Sequence, residues 1–327
     1  MPAGDKIQGN HVRLLLAICL LAVPARGGEA VYQLSGQVLP EAAASVTLFG
    51  ATTPFHAFTL SDESGRFTFK KLEAGTYTLA IYIPTRGEAR QTVEVGPGTS
   101  DAHGRIQLRL ALKDSDFVYG DIVRQEHAVS ARELTVPDKA LHDYQEARKA
   151  LGKRDTAAAV AHLEHAVEIA PQFSAAWNEL GTINYQTQNF ARAEECFRRS
   201  LAMDPKAYEP LVNLGGVLVT LNKLDEAWKF NAMAVLERPG DALANSQMGM
   251  TYFGLGDFDH AVKYLEKARR IDPAHFSHPQ LILAEIHLRR GERAAAADCL
   301  EDFLLRHPDW PQAAKMRETI EALRKPN

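Results

Sequence analysis

The sequence predicts a multidomain protein of α and β class, a small antiparallel β-sandwich followed by an all-α solenoid of helical hairpins. Three observations carry that prediction. Apolar residues alternate with period two between Val31 and Leu112, the pattern of half-buried strands. From Pro137 onward Ala, Leu, Glu, Arg and Lys dominate, and prolines recur at 171, 205, 239, 273 and 308, spaced 34, 34, 34 and 35 residues apart. Finally, 327 residues exceed the roughly 100–200 expected of one domain.

The chain opens on a polar stretch with Lys6 and Arg13, then the apolar run "LLLAICLLAV" from Leu14 to Val23, then "VPA". Charge, a short apolar run and a small residue at the exit form the pattern of a secretory signal, whose run is too short for the ~20 residues of a membrane span. Residues 1–25 are therefore expected to be a cleaved signal peptide, leaving an exported protein, periplasmic or secreted, with no transmembrane helix. Cys196 and Cys299 then remain, too few for a disulfide framework and at equivalent places three repeats apart, so free structural thiols are expected. With 37 Lys and Arg against 41 Asp and Glu, no basic surplus attracts nucleic acid.

Seven short strands are expected within 31–112: "YQLSGQV", "ASVTLFG", "HAFTLSD", "GRFTFKKL", "GTYTLAIYIP", "RQTVEVG" and "GRIQLRLAL". Phe67 and Phe69 share one inward face, as do Tyr77, Leu79 and Ile81. The turns "DESG" and "EAG" suit hairpins because Gly reaches positive φ. "SGQV" at Ser35 to Val38, "SDESGRFTF" at Ser61 to Phe69 and "LEAGTYTLAI" at Leu72 to Ile81 resemble the carboxypeptidase regulatory-like family, which implies a transthyretin-like sandwich acting as an accessory module without catalytic residues. Related sandwiches bind starch through exposed tryptophans, but no Trp lies between Val31 and Asp138. Residues 113–136 read as a linker with room for one strand.

Across 137–310 the period of 34 with helical patterning means stacked helical hairpins. Ala147, Gly181, Gly215, Gly249 and Ala284 form one row of small residues, and Ala159, Ala193, Ala227, Ala261 and Ala296 another. Small residues let paired helices approach closely; Gly within a helix costs about 1 kcal/mol relative to Ala, so packing demand explains its recurrence. "WNELG" at Trp177 to Gly181, "FARA" at Phe190 to Ala193, Cys196 with Phe197, and Asp204 with Pro205 resemble the tetratricopeptide repeat (TPR) family. Five repeats begin near Ala140, Ser174, Tyr208, Ala242 and Ser277, and residues 311–325 read as a C-terminal capping helix. Asn184 and Asn231 stand where the family has apolar residues. Asp143 and Glu146 replace the bulky pair of the first repeat, which reads as a terminal cap on which the sandwich does not dock intimately.

The sequence lacks HExxH, GxSxG, GxxxxGKS/T, and GxGxxG in a strand-to-helix context, so no enzyme or cofactor is expected. His162 and His165, and His275 and His278, read as ordinary solvated histidines. The resemblance places function on the concave groove lined by the first helix of each hairpin. There Asn178, Thr182, Tyr185, Val212, Asn213, Val219, Ser246, Met250 and Phe253 form a mixed surface suited to a protein or peptide partner; Val219, Met250 and Phe253 have a competing reading as core between repeats. The family's clamp for a terminal carboxylate is not expected, because Tyr144, Arg148, Glu179, Glu209 and Asn213 occupy its positions and two acids would repel the ligand. The expected role is an exported, non-enzymatic protein-interaction scaffold. The alternative is a cell-envelope glycan-binding module whose sandwich contacts carbohydrate while the solenoid recruits a partner.

Overall fold

The computed structural model describes residues 31–84, 86–117 and 135–325. The expected signal and residues 118–134 of the linker lie outside them. Seven strands form where the alternation requires: β1 (Tyr32–Leu39), β2 (Ser45–Gly50), β3 (His56–Leu60), β4 (Arg66–Leu72), β5 (Gly75–Ile83), β6 (Gly87–Val95) and β7 (Arg105–Ala111). They make two sheets, of order β4-β1-β7 and β3-β2-β5-β6. One pairing departs from the antiparallel expectation: β7 runs parallel to β1. No hairpin joins those two strands, so no turn forces them to oppose.

Phe67, Phe69, Tyr77, Leu79 and Ile81 are buried in the core between the sheets. Phe117 also enters that core, with the Arg86 guanidinium 4.2 Å from its ring centre. The sandwich thus takes in the first residues assigned by sequence to the linker, because an aromatic there has apolar surface to cover.

Eleven helices follow among the described residues: α1 (Asp138–Gly152), α2 (Thr156–Ile169), α3 (Ser174–Gln186), α4 (Phe190–Met203), α5 (Tyr208–Thr220), α6 (Leu224–Glu237), α7 (Ala242–Leu255), α8 (Phe258–Ile271), α9 (Pro279–Arg289), α10 (Arg293–Arg306) and α11 (Ala313–Arg324). Each of the five periodic prolines stands two residues past the end of α2, α4, α6, α8 or α10, where its missing N–H costs no helical bond. Both small-residue rows are buried throughout. Their physical cause is visible at Gly181, where an added Cβ would lie 2.6 Å from the Phe197 ring. At Gly215 the facing residue is Asn231, which is buried and donates to Thr251 Oγ1 at 3.0 Å; a hydrogen bond replaces the family's apolar contact. The extra residue of the fifth repeat is absorbed at the α8–α9 junction, where His278 takes φ 52°.

Two histidine readings change. His162 Nδ1 and His165 Nδ1 meet the two oxygens of buried Asp143 at 3.1 and 2.6 Å, so they satisfy the carboxylate that replaces a bulky residue. His275 is buried, and the His278 ring packs edge-on against Phe303, His307 and Trp310 at 5.2, 4.6 and 5.4 Å. Burial, with His307 and His275 nearby, pushes the His278 pKa down to about 3. Cys196 and Cys299 are free and buried, their thiols pushed up to about 11 chiefly by burial.

Candidate functional site

Helices α1, α3, α5, α7 and α9 carry the positions that the repeat register turns toward the concave side. The sandwich docks on this side, contrary to the expectation that it stands off the first repeat. One end of sheet β3-β2-β5-β6, with Gly50, Phe55, His56, Glu73 and the Tyr77 hydroxyl, and its edge strand β6 make the contact, and the charged positions of the groove provide the reason.

At the first repeat, the Arg148 guanidinium donates to His56 Nε2. Arginine has no acceptor, so this nitrogen must be unprotonated. Burial and then Arg148 push the His56 pKa down to about 4. Arg154 donates to the Tyr77 hydroxyl at 2.8 Å, pairs with Glu73 at 3.0 Å and stacks 4.7 Å from the Phe55 ring centre. Gln186, at the end of α3, donates to the Gly50 carbonyl at 2.8 Å. In the third repeat the contact moves to the start of α5, where Arg90 reaches Glu209 at 2.9 Å while also holding Glu88 at 2.6 Å. Beyond it, the buried N–H of Thr92 donates to Asp272 at 2.9 Å. His307 Nδ1 meets Glu94 at 2.8 Å, and Asp309 accepts the Gly98 N–H at 2.8 and 2.9 Å. The line of contact therefore crosses the concave side diagonally, from helix C-termini in the first two repeats to helix starts and inter-repeat loops in the last three.

Sequence reasoning found Glu179 and Glu209 but used them only to exclude a carboxylate ligand. Two acids at inward positions equally call for cationic neighbours. Glu209 has Arg90, while Glu179 accepts from Tyr144 at 3.0 Å beside Arg148, and its burial still raises its pKa. His56, Thr92 and Asp309 carried no periodic signal, and Asp272 carried one that pointed elsewhere, since it repeats Asp204 two periods on as the Asp-Pro that closes a hairpin.

The inward residues predicted from register divide into three groups. Asn213 donates to Asn178 Oδ1 at 3.1 Å and lies 3.5 Å from Thr182 Oγ1, so these three form one polar patch between α3 and α5. Tyr185, 38% exposed, shares a 3.2 Å hydrogen bond with Thr220. Val219, Met250 and Phe253 are half-buried, and the Arg289 guanidinium lies 5.0 Å from the Phe253 ring centre. Val212 and Ser246 require correction, because both are buried. Val212 packs with Tyr208, Leu211, Ala234 and Ala244, and Ser246 shares a 2.6 Å hydrogen bond with Ser277; packing between neighbouring hairpins uses these two surfaces. Among the described residues, no hydrogen bond or ring contact joins Tyr185, Val219, Met250 or Phe253 to the sandwich. No group of three or more His, Cys, Asp or Glu among them is placed to hold a metal ion, and no helix among them is long and apolar enough to cross a membrane.

A stack of helical hairpins bearing a β-sandwich on its concave side defines a modular protein-interaction scaffold. Residues 144–272 match the family described as the cilia and flagella-associated protein 70 middle TPR-like domain, residues 252–320 match a tetratricopeptide repeat family, and residues 30–109 match the carboxypeptidase regulatory-like domain. The chain is a tetratricopeptide-repeat protein with an N-terminal carboxypeptidase regulatory-like domain. It is 27% identical over 174 residues to the STIP1 homolog of Dictyostelium discoideum, an alignment covering 49% of this chain and 28% of that protein. It is 25% identical over 107 residues to the BBSome complex member BBS4 of Xenopus tropicalis, covering 33% of this chain and 21% of that protein. The chain thus spans about a quarter of the length of these curated relatives. Similar solved structures include MamA from Desulfovibrio magneticus RS-1, at 19% identity and TM-score 0.47, covering 54% of this chain and 98% of MamA. Another is the type IV pilus biogenesis factor PilW, at 21% identity and TM-score 0.48, covering 56% and 90%.

Proposed function

We propose that the protein is an exported, non-enzymatic scaffold that holds a peptide segment of a protein partner along the part of the concave side beside the docked sandwich. The observation that carries this reading is the strip of Tyr185, Val219, Met250 and Phe253, which recurs toward the C-terminal ends of three consecutive inward helices. Tyr185 is exposed and the others half-buried, and the polar patch of Asn178, Thr182 and Asn213 precedes the strip along α3 and α5. Apolar anchors beside amide and hydroxyl groups suit an extended or helical peptide, whose side chains fill the strip while its backbone bonds to the amides. Export rests on the apolar run and exit residues of the first 25 positions, and a place in the cell envelope is part of this reading.

The test is crosslinking in the native host followed by recovery of bound protein. Replacing Tyr185, Met250 and Phe253 by Ser should abolish capture while helicity, read by circular dichroism, survives. Capture at the wild-type level by a folded variant would rule the strip out.

A further inference from the structure

The two sheets have four edge strands, and three carry a guard against pairing with another chain. β6 is covered by the solenoid through Thr92 and Asp272. β4 exposes Arg66, Lys70 and Lys71, and β7 exposes Arg105 and Arg109; charges of this kind discourage added strands. β3, "HAFTL", carries no Asp, Glu, Lys or Arg, and the solenoid meets it at its first residue, His56, through Arg148 and Gly152. Phe58 and Leu60 stand on one face of it, 57% and 65% exposed.

The backbone of β3 is also prepared for pairing. Gly50 N–H donates to the Phe55 carbonyl and Ser61 N–H to the Ala44 carbonyl. With Leu48 opposite Ala57 and Val46 opposite Thr59, antiparallel alternation turns residues 55, 57, 59 and 61 toward β2. His56, Phe58 and Leu60 therefore turn their N–H and C=O groups outward. The His56 carbonyl is occupied, since an added Cβ on Gly152 would sit 3.1 Å from it. The outward groups of Phe58 and Leu60 remain at the rim, where the Leu60 carbonyl accepts one long bond, 3.4 Å, from the neighbouring Thr59 hydroxyl and keeps its second lone pair.

We propose that β3 is a self-pairing edge, joining the β3 of a second copy antiparallel about a two-fold axis through Thr59. That axis sets Phe58 opposite the partner's Leu60 and Leu60 opposite the partner's Phe58. Each pair exchanges two backbone hydrogen bonds, so every outward group of the two residues is matched, as an isologous contact requires. The exposed apolar side chains then cover one another on a single face. The same register brings His56 opposite the partner's Asp62. The exposed Lys153 of the α1–α2 loop follows Gly152, which abuts the His56 carbonyl, and so stands at the end of the rim that receives the partner's Asp62 and the partner's Glu63, both exposed. This charge complementarity favours a second copy over an unrelated strand. An axis through Phe58 would instead require the occupied His56 to exchange backbone bonds with Leu60, whereas the axis through Thr59 asks none of His56 or of Asp62, whose N–H already serves the Arg66 carbonyl. So short an edge predicts a dissociable dimer.

Sedimentation velocity of the signal-free chain over a wide concentration range tests the proposal. A reversible monomer–dimer equilibrium is expected. Phe58→Lys with Leu60→Lys should weaken it roughly tenfold or more without lowering the melting temperature, because both side chains are exposed. Phe58→Pro provides a second test, since it removes one outward N–H and no bond to β2. Lys153→Glu should weaken the dimer, and adding Asp62→Lys and Glu63→Lys should restore it. A wild-type chain that stays monomeric throughout, folded variants that dimerise as well as wild type, or a monomer that takes up only unrelated strand peptides would each overturn self-pairing.

Discussion

The contacts inside the solenoid and those beneath the sandwich are built from different chemistry. Inside the solenoid, small residues face apolar ones at a fixed period, as where Gly181 admits Phe197 and Gly249 admits Leu265. Beneath the sandwich the contacts do not repeat and most are polar: Arg148 with His56, Arg90 with Glu209, Asp272 with the Thr92 N–H, and His307 with Glu94. Apolar packing is insensitive to pH, whereas the Arg148–His56 contact requires an unprotonated imidazole nitrogen. The hairpin stack is thus a permanent frame, and the sandwich is a titratable attachment to it.

Perturbing each set should separate them, with the frame giving the largest effect. Gly181→Leu pushes a branched side chain into the Phe197 ring and should cost about 3 kcal/mol by overpacking, read as a lower melting temperature of the helical signal. An unchanged melt would remove the packing role of that row. Acidification should act on the attachment and leave the later hairpins intact. His56 is held near pKa 4 when docked, against 6.5 ordinarily, so the docked state binds fewer protons. Its contribution is complete above about pH 6.5 and is lost as pH falls toward 4, by about 3 kcal/mol at most. Hydrogen exchange of β3 should rise across that window while α5 to α10 stay protected, and His56→Gln should abolish the trend.

Asp272→Ala leaves the buried Thr92 N–H without an acceptor and should weaken docking by about 1–3 kcal/mol. The expected readout is faster exchange along β6 with no change in helix protection; loss of helix protection would mean that Asp272 supports the frame instead. The smallest effect is expected at the open strip, where Tyr185→Ser should shift stability by about 1 kcal/mol or less, losing one exposed hydrogen bond to Thr220. A much larger loss would make Tyr185 a packing residue.

How legible each set was follows from the same difference. The seven strands and the hairpin helices repeat a pattern of burial every two or about every 3.6 residues, so local sequence specifies them. Ala147, Gly181 and Ala193 could be assigned to packing because their counterparts stand one period away. Val212 and Ser246 were misplaced by the same register, since it gives direction but not how deeply the next hairpin covers a residue. The docking surface has no period. Thr92 and Asp272 are 180 residues apart, and nothing near either announces the other. Asp143 looked like a solvent-facing cap until His162 and His165 were found on it. Of the candidate site, the direction of Tyr185 and the polar character of Asn178 and Asn213 were readable; the sandwich beside them was not.

Docking of the sandwich on the concave side is the claim on which the rest depends. A Cβ at Gly96 would lie 3.7 Å from that of Asp309, within the roughly 3.5–4.5 Å that a disulfide spans. The chain carrying Gly96→Cys and Asp309→Cys should therefore form one intramolecular disulfide under mild oxidation, at a yield independent of protein concentration, read by mass spectrometry of proteolytic fragments. Two thiols that stay free, or that crosslink only between chains, would contradict the account.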